Sequence, residues 1–494
     1  MKPFEISIAQ DGRPLIAVAG YPVAEGVLTI LFGESGIGKS LSALAVAGLV
    51  EPAELTISVD RESYAHYLAR GDVREYRASG FFVFQEPSSH LNPLMTLRRQ
   101  LNEGSLARAT NEPDVIRRLW QGNEQEAASI LDVYPKPYRP SGGEKQRVLA
   151  AMAFKKMSLL RPGSSGFFVF DEPTASLDNR LRDEFIDLLV DYLPQAPAAV
   201  LLITHDYSIV ARLTRRHARL SGKVAFKEMY LVRGKQEVRD FEPREYLGWV
   251  SSLKPLGPGT APAEFVLRVA SGMRVLSRSY RFVRKEGDAN AATLTVYKGR
   301  MTYLKGGSGL GKTTVLKTIM GLFEPEKMVV EIGGRRFTRE NRRKDWSRSV
   351  WGRKMTMVFQ HADEALNQRA LVRDVFGGLP GFESSERNML DALAKLFDAE
   401  AEGSFLNRPV YTLSGGQKQR LNLVRSMILQ TEILLLDEPL SGLDLKASAK
   451  VIHLLEQQLA RGSAILVVSH NEDIFDALTR PEDVYLLEGH KEGP

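Results

Sequence analysis

Apolar residues in this chain gather into short runs that stop at polar or glycine-rich positions, and this pattern predicts an alternating α/β fold. Val27 to Phe32 is a short, largely apolar run that ends in a glycine-rich turn, and Ser40 to Leu49 continues with helical spacing. The order is strand, loop, helix. Phe167 to Phe170 and Val200 to Ile203 are short, apolar and bounded by polar residues, as parallel strands covered on both faces are. From about 97 to 140, and again from about 371 to 413, the pattern turns helical and polar. These two stretches read as a helical subdomain inserted in each sheet core.

The plural follows from an internal duplication. Gly33-Glu34-Ser35-Gly36-Ile37-Gly38-Lys39-Ser40 returns as Gly306-Gly307-Ser308-Gly309-Leu310-Gly311-Lys312-Thr313. Phe84-Gln85 returns as Phe359-Gln360, and Ser141-Gly142-Gly143-Glu144 as Ser414-Gly415-Gly416-Gln417. Asp171-Glu172-Pro173 returns as Asp437-Glu438-Pro439, and Thr204-His205 as Ser469-His470. Five landmarks in one order define two copies, 1–253 and 264–494. The offset shortens between the third and fourth landmarks, which places extra residues of the first copy in a loop at Arg161 to Gly166. The join, 254–263, is rich in Pro and Gly and reads as an extended linker.

Composition narrows the class. With 494 residues, 43% hydrophobic and 26% charged, the chain is a core-forming globular protein of several folding units. The absence of Cys excludes disulfide frameworks, cysteine zinc sites and iron–sulfur clusters. The N-terminus lacks the apolar run of a secretory signal. Apolar runs such as Ala198 to Ile203 and Ile433 to Leu436 fall far short of the ~20 residues that span a bilayer, so a membrane role would be peripheral. A net charge of +6 spread over this length is too mild to imply nucleic acid. Locally the balance differs: Arg335 to Lys354 holds nine basic residues against Glu340 and Asp345, a solvated face or a surface for anionic headgroups.

The glycine-rich loops are phosphate cradles. Glycine lets backbone N–H groups converge on an anion, the following helix adds its positive end, and Lys39 or Lys312 neutralises terminal phosphates. Ser40 and Thr313 supply a hydroxyl for Mg²⁺. Four apolar residues before each Asp-Glu put a carboxylate pair at the tip of a buried strand, where Asp171 and Asp437 can hold the metal and Glu172 and Glu438 can polarise the attacking water. His205 and His470, each after an apolar strand and a hydroxyl residue, are candidates to contact the γ-phosphate.

The full set resembles the nucleotide-binding domain of ATP-binding cassette (ABC) proteins, in two tandem copies over nearly the whole chain. Ser141-Gly142-Gly143-Glu144 and Leu413-Ser414-Gly415-Gly416-Gln417 are similar to the ABC signature. The resemblance implies ATP and Mg²⁺ as cofactors, with Gln85 and Gln360 added to the metal and catalytic residues. It also implies head-to-tail pairing within the chain, in which Ser141 and Gly143 complete the site of the second copy and Ser414, Gly416 and Gln417 that of the first. Tyr280 is the candidate adenine-stacking aromatic of the second copy; the first has no convincing equivalent, Tyr21 lying too close to the loop and Phe4 too far. The segment Phe84 to Thr96 is similar to that of ATPases of oligopeptide, dipeptide and nickel importers, although the second copy keeps only Leu366 and Asn367 of it.

That resemblance implies an ATP-hydrolysing subunit on the cytoplasmic face of the cell membrane, with two membrane-spanning permease subunits and a substrate-binding protein as partners, no nucleic acid and no span of its own. The other expectation is a soluble tandem ABC ATPase acting on a metabolic enzyme complex or the ribosome; the short Pro/Gly-rich join disfavours the ribosome.

Overall fold

The computed structural model describes residues 3–52, 54–133, 140–161, 166–174, 177–195, 198–232, 235–258, 264–307, 309–397 and 402–491. The chain divides into two compact units, Met1–Leu247 and Gly248–Pro494. Ser308, Ser176, the extra loop residues 162–165 and linker residues 259–263 lie outside the described residues.

The first unit contains β1 (Phe4–Gln10), β2 (Arg13–Tyr21), β3 (Leu28–Gly33), β4 (Leu55–Val59), β5 (Glu62–Ser63), β6 (Phe81–Val83), β7 (Gly166–Asp171), β8 (Ala198–Ile203), β9 (Val224–Val232) and β10 (Lys235–Asp240). They form one sheet in the order β5-β4-β1-β2-β10-β9-β3-β8-β7-β6. Its centre, β3, β8 and β7, is parallel and buried along its whole length. Valine, leucine, isoleucine and phenylalanine fill these strands because both faces are covered, each such side chain contributing ~1.5–3 kcal/mol when fully buried.

In the second unit the strands are β11 (Phe265–Val269), β12 (Met273–Val275), β13 (Arg278–Val283), β14 (Leu294–Tyr297), β15 (Met301–Lys305), β16 (Val329–Ile332), β17 (Arg335–Thr338), β18 (Met355–Val358), β19 (Ile433–Asp437), β20 (Ala464–Val468) and β21 (Val484–Lys491). They make two sheets, β14-β11-β16-β17 and β12-β13-β21-β15-β20-β19-β18. The copies differ in how these strands are joined, one sheet in the first unit and two in the second. Beside the last parallel strand, the first unit places β10, which follows in sequence, and the second places β13, which precedes the phosphate loop.

The inserted segments are helical, as their polarity predicts. The first holds the helices Leu97–Leu101, Glu112–Leu119 and Glu124–Ala128, and the second Glu386–Leu393 and Gly403–Leu406. They rest on the long helix that follows each Ser-Gly-Gly motif, Gly142–Met157 or Gly415–Ile428. Lys155, fully buried on the first of these, donates to the carbonyl of Leu101 at 2.6 Å and pairs with Glu112. A charge sealed from water requires such partners, so this lysine pins the insert to its base.

The start of the join packs on the second unit. Leu256 is buried, its N–H donates to the carbonyl of Leu478 at 2.9 Å, and the guanidinium of Arg480 donates to the carbonyls of Leu256, Gly257 and Pro258. Residues 254–258 are thus part of the second unit's surface. Among the described residues no helix is long and apolar enough to cross a membrane.

Candidate functional site

In both units the phosphate loop, the Asp-Glu tip and the histidine turn meet at the carboxyl ends of the parallel strands, where open α/β sheets bind ligands. Register enforces this. Asp171 lies opposite Ile203 and Asp437 opposite Val468, so the Asp-Glu tips adjoin the turns bearing His205 and His470. Val83 lies opposite Phe170 and Val358 opposite Leu436, which starts Gln85 and Glu172, and Gln360 and Glu438, from matching positions two residues on. Gln85 is exposed and Gln360 half-buried.

The glycine-rich loops lead directly into the helices Lys39–Val46 and Lys312–Ile319, neither of which has a side-chain cap. Their first N–H groups are left to an anion. Gly38 and Gly311 must be glycine: their φ angles are +106° and +97°, and a Cβ would sit 2.8 Å from Ile16 or 2.3 Å from the Tyr280 hydroxyl. Gly33 and Gly36, and Gly309 in the second loop, also have positive φ, whereas Gly306 does not. The lysine side chains curl back over their loops. Lys39 Nζ donates to the carbonyls of Gly33 and Glu34 at 2.6 and 2.9 Å, and Lys312 Nζ to those of Gly306 and Gly307 at 2.7 and 3.2 Å. Burial lowers the pKa of Lys39, and the surrounding carboxylates, led by Glu172, oppose that.

Each loop hydroxyl points at its strand-tip carboxylate. Ser40 donates to Asp171 at 2.9 Å and Thr313 to Asp437 at 3.1 Å. Burial pushes both aspartates up to about 6, with the hydroxyls pulling the other way. Asp437 Oδ2 is buried with no hydrogen-bond partner. An orphaned buried carboxylate oxygen beside a hydroxyl suits a hard divalent cation, so these residues fit Mg²⁺.

The following glutamates share an unusual backbone. Glu172 has φ +47° and Glu438 φ +48°, a left-handed conformation that non-glycine residues rarely adopt and that clusters at functional sites. Glu172 Oε1 contacts His205 Nδ1 at 2.9 Å, and this carboxylate raises the histidine's pKa. Glu438 Oε2 accepts from the Ser469 hydroxyl at 2.9 Å and from the His470 N–H at 3.0 Å, while the His470 ring stands 3.6 Å away. Burial raises Glu438 to about 7, against the pull of those two donors.

Ser141 and Ser414 cap the helices of the Ser-Gly-Gly motifs, each in a reciprocal box. Glu144 Oε2 accepts from the Ser141 N–H at 2.5 Å and Gln417 Oε1 from the Ser414 N–H at 3.0 Å. Glu and Gln do the same local work, with one charge of difference. Gly143 is half-buried and Gly416 buried.

Tyr280 lies beneath the second phosphate loop. It is 1% exposed, in the core under Gly311, and presents no face to a ligand. It supports the loop from below, as Ile16 does under Gly38. Tyr21 is a further support that spacing did not single out; it is fully buried and its hydroxyl donates to the Lys39 carbonyl at 2.9 Å. The long helices also reach the glutamine segments. Gln146 and Gln419 donate to the carbonyls of Phe84 and Phe359 at 3.3 and 3.4 Å, and Lys145 and Lys418 to Ser88 and Asp363 at 2.9 and 3.0 Å. Equal offsets from the two Ser-Gly-Gly motifs were the available signal.

Two phosphate loops, each with its own strand-tip carboxylates and histidine, define a duplicated P-loop ATPase. The family model for "ABC transporter" matches residues 19–175 and 289–441, and the chain belongs to that family. It binds and hydrolyses ATP. It is 28% identical over 489 residues to an uncharacterized ABC transporter ATP-binding protein, YejF, of Escherichia coli, covering 95% of this chain and 90% of that one. With the oligopeptide transport ATP-binding protein OppD of Mycobacterium tuberculosis it shares 28% identity, over 97% of this chain and 92% of that one. With the glutathione import ATP-binding protein GsiA of Escherichia coli the values are 27%, 98% and 84%. Among solved structures, RNase-L Inhibitor matches at a TM-score of 0.61 with 18% identity, covering 97% of this chain and 89% of that one, a likeness of fold alone.

Proposed function

We propose that the chain is the ATP-hydrolysing, energy-coupling subunit of a membrane ABC importer of the oligopeptide, dipeptide or nickel class, working with two permease subunits and a substrate-binding protein. The observation that carries this reading is full-length similarity, at 84–92% coverage of the relatives, to proteins named for oligopeptide transport and glutathione import. The first unit adds a docking place. A cleft of about 920 Å³, lined by Leu49, Arg77, Phe84, His90, Met152 and Phe167 among others, opens beside the segment Glu86 to Thr96, and Leu94 in that segment is 87% exposed. A permease element seated there would touch the residues that Lys145 and Gln146 tie to the signature helix.

Within each unit the backbone N–H groups of the phosphate loop, with Lys39 or Lys312, bind and orient the triphosphate. Bound Mg²⁺, held by Ser40, Gln85 and Asp171 or by Thr313, Gln360 and Asp437, would neutralise charge on the phosphate oxygens. Glu172 and Glu438 take up the proton of the attacking water, and His205 and His470 contact the γ-phosphate.

Isolation of the tagged chain from native membranes tests the proposal. Recovery of two polytopic subunits supports it. Recovery only of soluble enzymes or ribosomal particles overturns it in favour of a soluble tandem ATPase, a reading that rests on fold alone.

A further inference from the structure

The interval between β16 and β18 separates the copies sharply in charge. Residues 333–354 carry nine Lys or Arg side chains against Glu340 and Asp345, a net of +7, which exceeds the +6 of the whole chain. Residues 60–80 fill the matching interval between β4 and β6. They carry Arg61, Arg70, Arg74 and Arg77 against Asp60, Glu62, Asp72 and Glu75, a net of zero.

Two of these four cations of the first unit have carboxylate partners. Arg61 lies 2.9 Å from Glu5, and Arg70 lies 2.6 Å from Asp72 and 3.6 Å from Asp60. In the second unit none of the nine is ion-paired with a described carboxylate, and all but Lys354 are exposed. Like charges crowded without partners repel one another, a cost that an anionic partner removes.

A rigid body presents them. Trp346, buried in the helix Arg343–Ser349, packs on Phe337 of β17 at 4.5 Å between ring centroids, and the indole N–H of Trp351 donates to the Met320 carbonyl at 2.7 Å. The Arg335 guanidinium lies 5.1 Å over Phe337 and that of Arg343 5.6 Å over Trp351. These rings are covered by cations and offer no stacking platform for bases, which disfavours single-stranded nucleic acid. A fixed, unpaired basic face suits a layer of phosphate headgroups. Its position agrees. Met320 ends the phosphate-loop helix, whose Lys317 contacts Glu364 and the ring of Phe359, the start of the segment corresponding to Phe84 to Thr96.

We propose that this face of the second unit binds anionic phospholipid headgroups of the membrane on which the importer sits, a proposal that rests on the transporter reading for its setting. Near an anionic bilayer each Lys or Arg contributes roughly a fivefold gain in binding. Sedimentation of the full chain with phosphatidylcholine vesicles, with and without phosphatidylglycerol, tests it at about 0.1 M salt, where the Debye length is ~10 Å. Binding should require phosphatidylglycerol and weaken as salt rises. Replacing Arg335, Arg336, Arg342, Arg343, Lys344 and Arg348 by Gln should reduce it at least about 100-fold with basal ATPase retained, whereas Arg61→Gln with Arg74→Gln should leave it unchanged. Should the sixfold variant not fold, Arg336→Glu alone should still weaken binding at least about fivefold. Equal binding to neutral vesicles, equal loss in both variants, or capture of single-stranded RNA by these residues without a preference for anionic vesicles overturns the proposal. Vesicle binding needs no permease. Its persistence in a chain that recovers no membrane subunits would refute the transporter reading and keep this surface, and the converse result would refute the surface alone.

Discussion

Replacing Ser469 by Ala perturbs one hydrogen bond to one buried carboxylate. The Ser469 hydroxyl, 3% exposed, donates to Glu438 Oε2 at 2.9 Å, and the His470 N–H donates to the same oxygen at 3.0 Å. A hydrogen bond to a charged group contributes ~1.5–3 kcal/mol, and 1.4 kcal/mol corresponds to about one pH unit, so the glutamate should titrate roughly one to two units higher. Burial already holds Glu438 at about 7. At about pH 7.5 roughly three quarters of it is then ionised, falling to a quarter or a few hundredths in the variant, a roughly 3- to 25-fold loss of working base. The sign follows: the fold-loss grows as the pH falls below neutrality, toward about 10- to 100-fold, and fades as the pH rises past 9. The assay is the pH profile of steady-state ATP turnover in a Glu172→Gln background, which isolates the second site. Ser469→Thr, which copies Thr204 of the first unit, should restore the parent profile. A Ser469→Ala enzyme with an unshifted profile, or a uniform loss at every pH, would refute the reasoning.

Three other outcomes are expected. Single Glu172→Gln and Glu438→Gln variants should differ, the first losing more turnover, if, as the resemblance to ABC proteins implies, the first copy's signature, with Pro140 before Ser141 and a charged Glu144, serves the nucleotide of Glu438; equal steady-state losses would show that those differences do not matter to hydrolysis. Glu438→Gln should also raise the melting temperature of the nucleotide-free protein at pH 8 and not at pH 5. A carboxyl raised from 4.5 to about 7 on folding stabilises the fold in full below about pH 4.5 and loses that contribution as pH climbs to 7, by up to a few kcal/mol; a pH-independent effect in calorimetry would contradict this. Tyr280→Ala should lower the melting temperature by an amount equivalent to ~3–5 kcal/mol, as removal of a buried aromatic does, without changing the preference for ATP over GTP; a selective loss of ATP affinity in the folded variant would restore a stacking role.

What the sequence disclosed was whatever chemistry demands at fixed spacing. The phosphate loops, the Asp-Glu tips and the Ser-Gly-Gly caps are local, and a strand edge or helix start brings their parts together within a few residues. Long-range pairing left no such trace. Whether β10 or β13 lies beside the last parallel strand depends on partners more than 150 residues away in the second copy, where Tyr280 faces Gly489. An aromatic residue in a strand reads alike under a loop or against a base, so spacing does not disclose the burial of Tyr280 or Tyr21. Composition misled at the join, because Pro and Gly between 254 and 258 conceal Leu256 and the carbonyls that Arg480 gathers. The left-handed φ of Glu172 and Glu438 was equally hidden, since only Gly or Asn advertises that conformation in sequence.

The central claim is that the duplicated strand-tip glutamates drive ATP turnover at two sites of one chain. Steady-state ATPase activity, measured with equilibrium ATP binding on the purified Glu172→Gln/Glu438→Gln double variant, tests it most directly. The double variant should bind two ATP per chain, with turnover lowered by roughly 10²- to 10⁴-fold, the usual contribution of a general base. Unchanged turnover with ATP bound would contradict it.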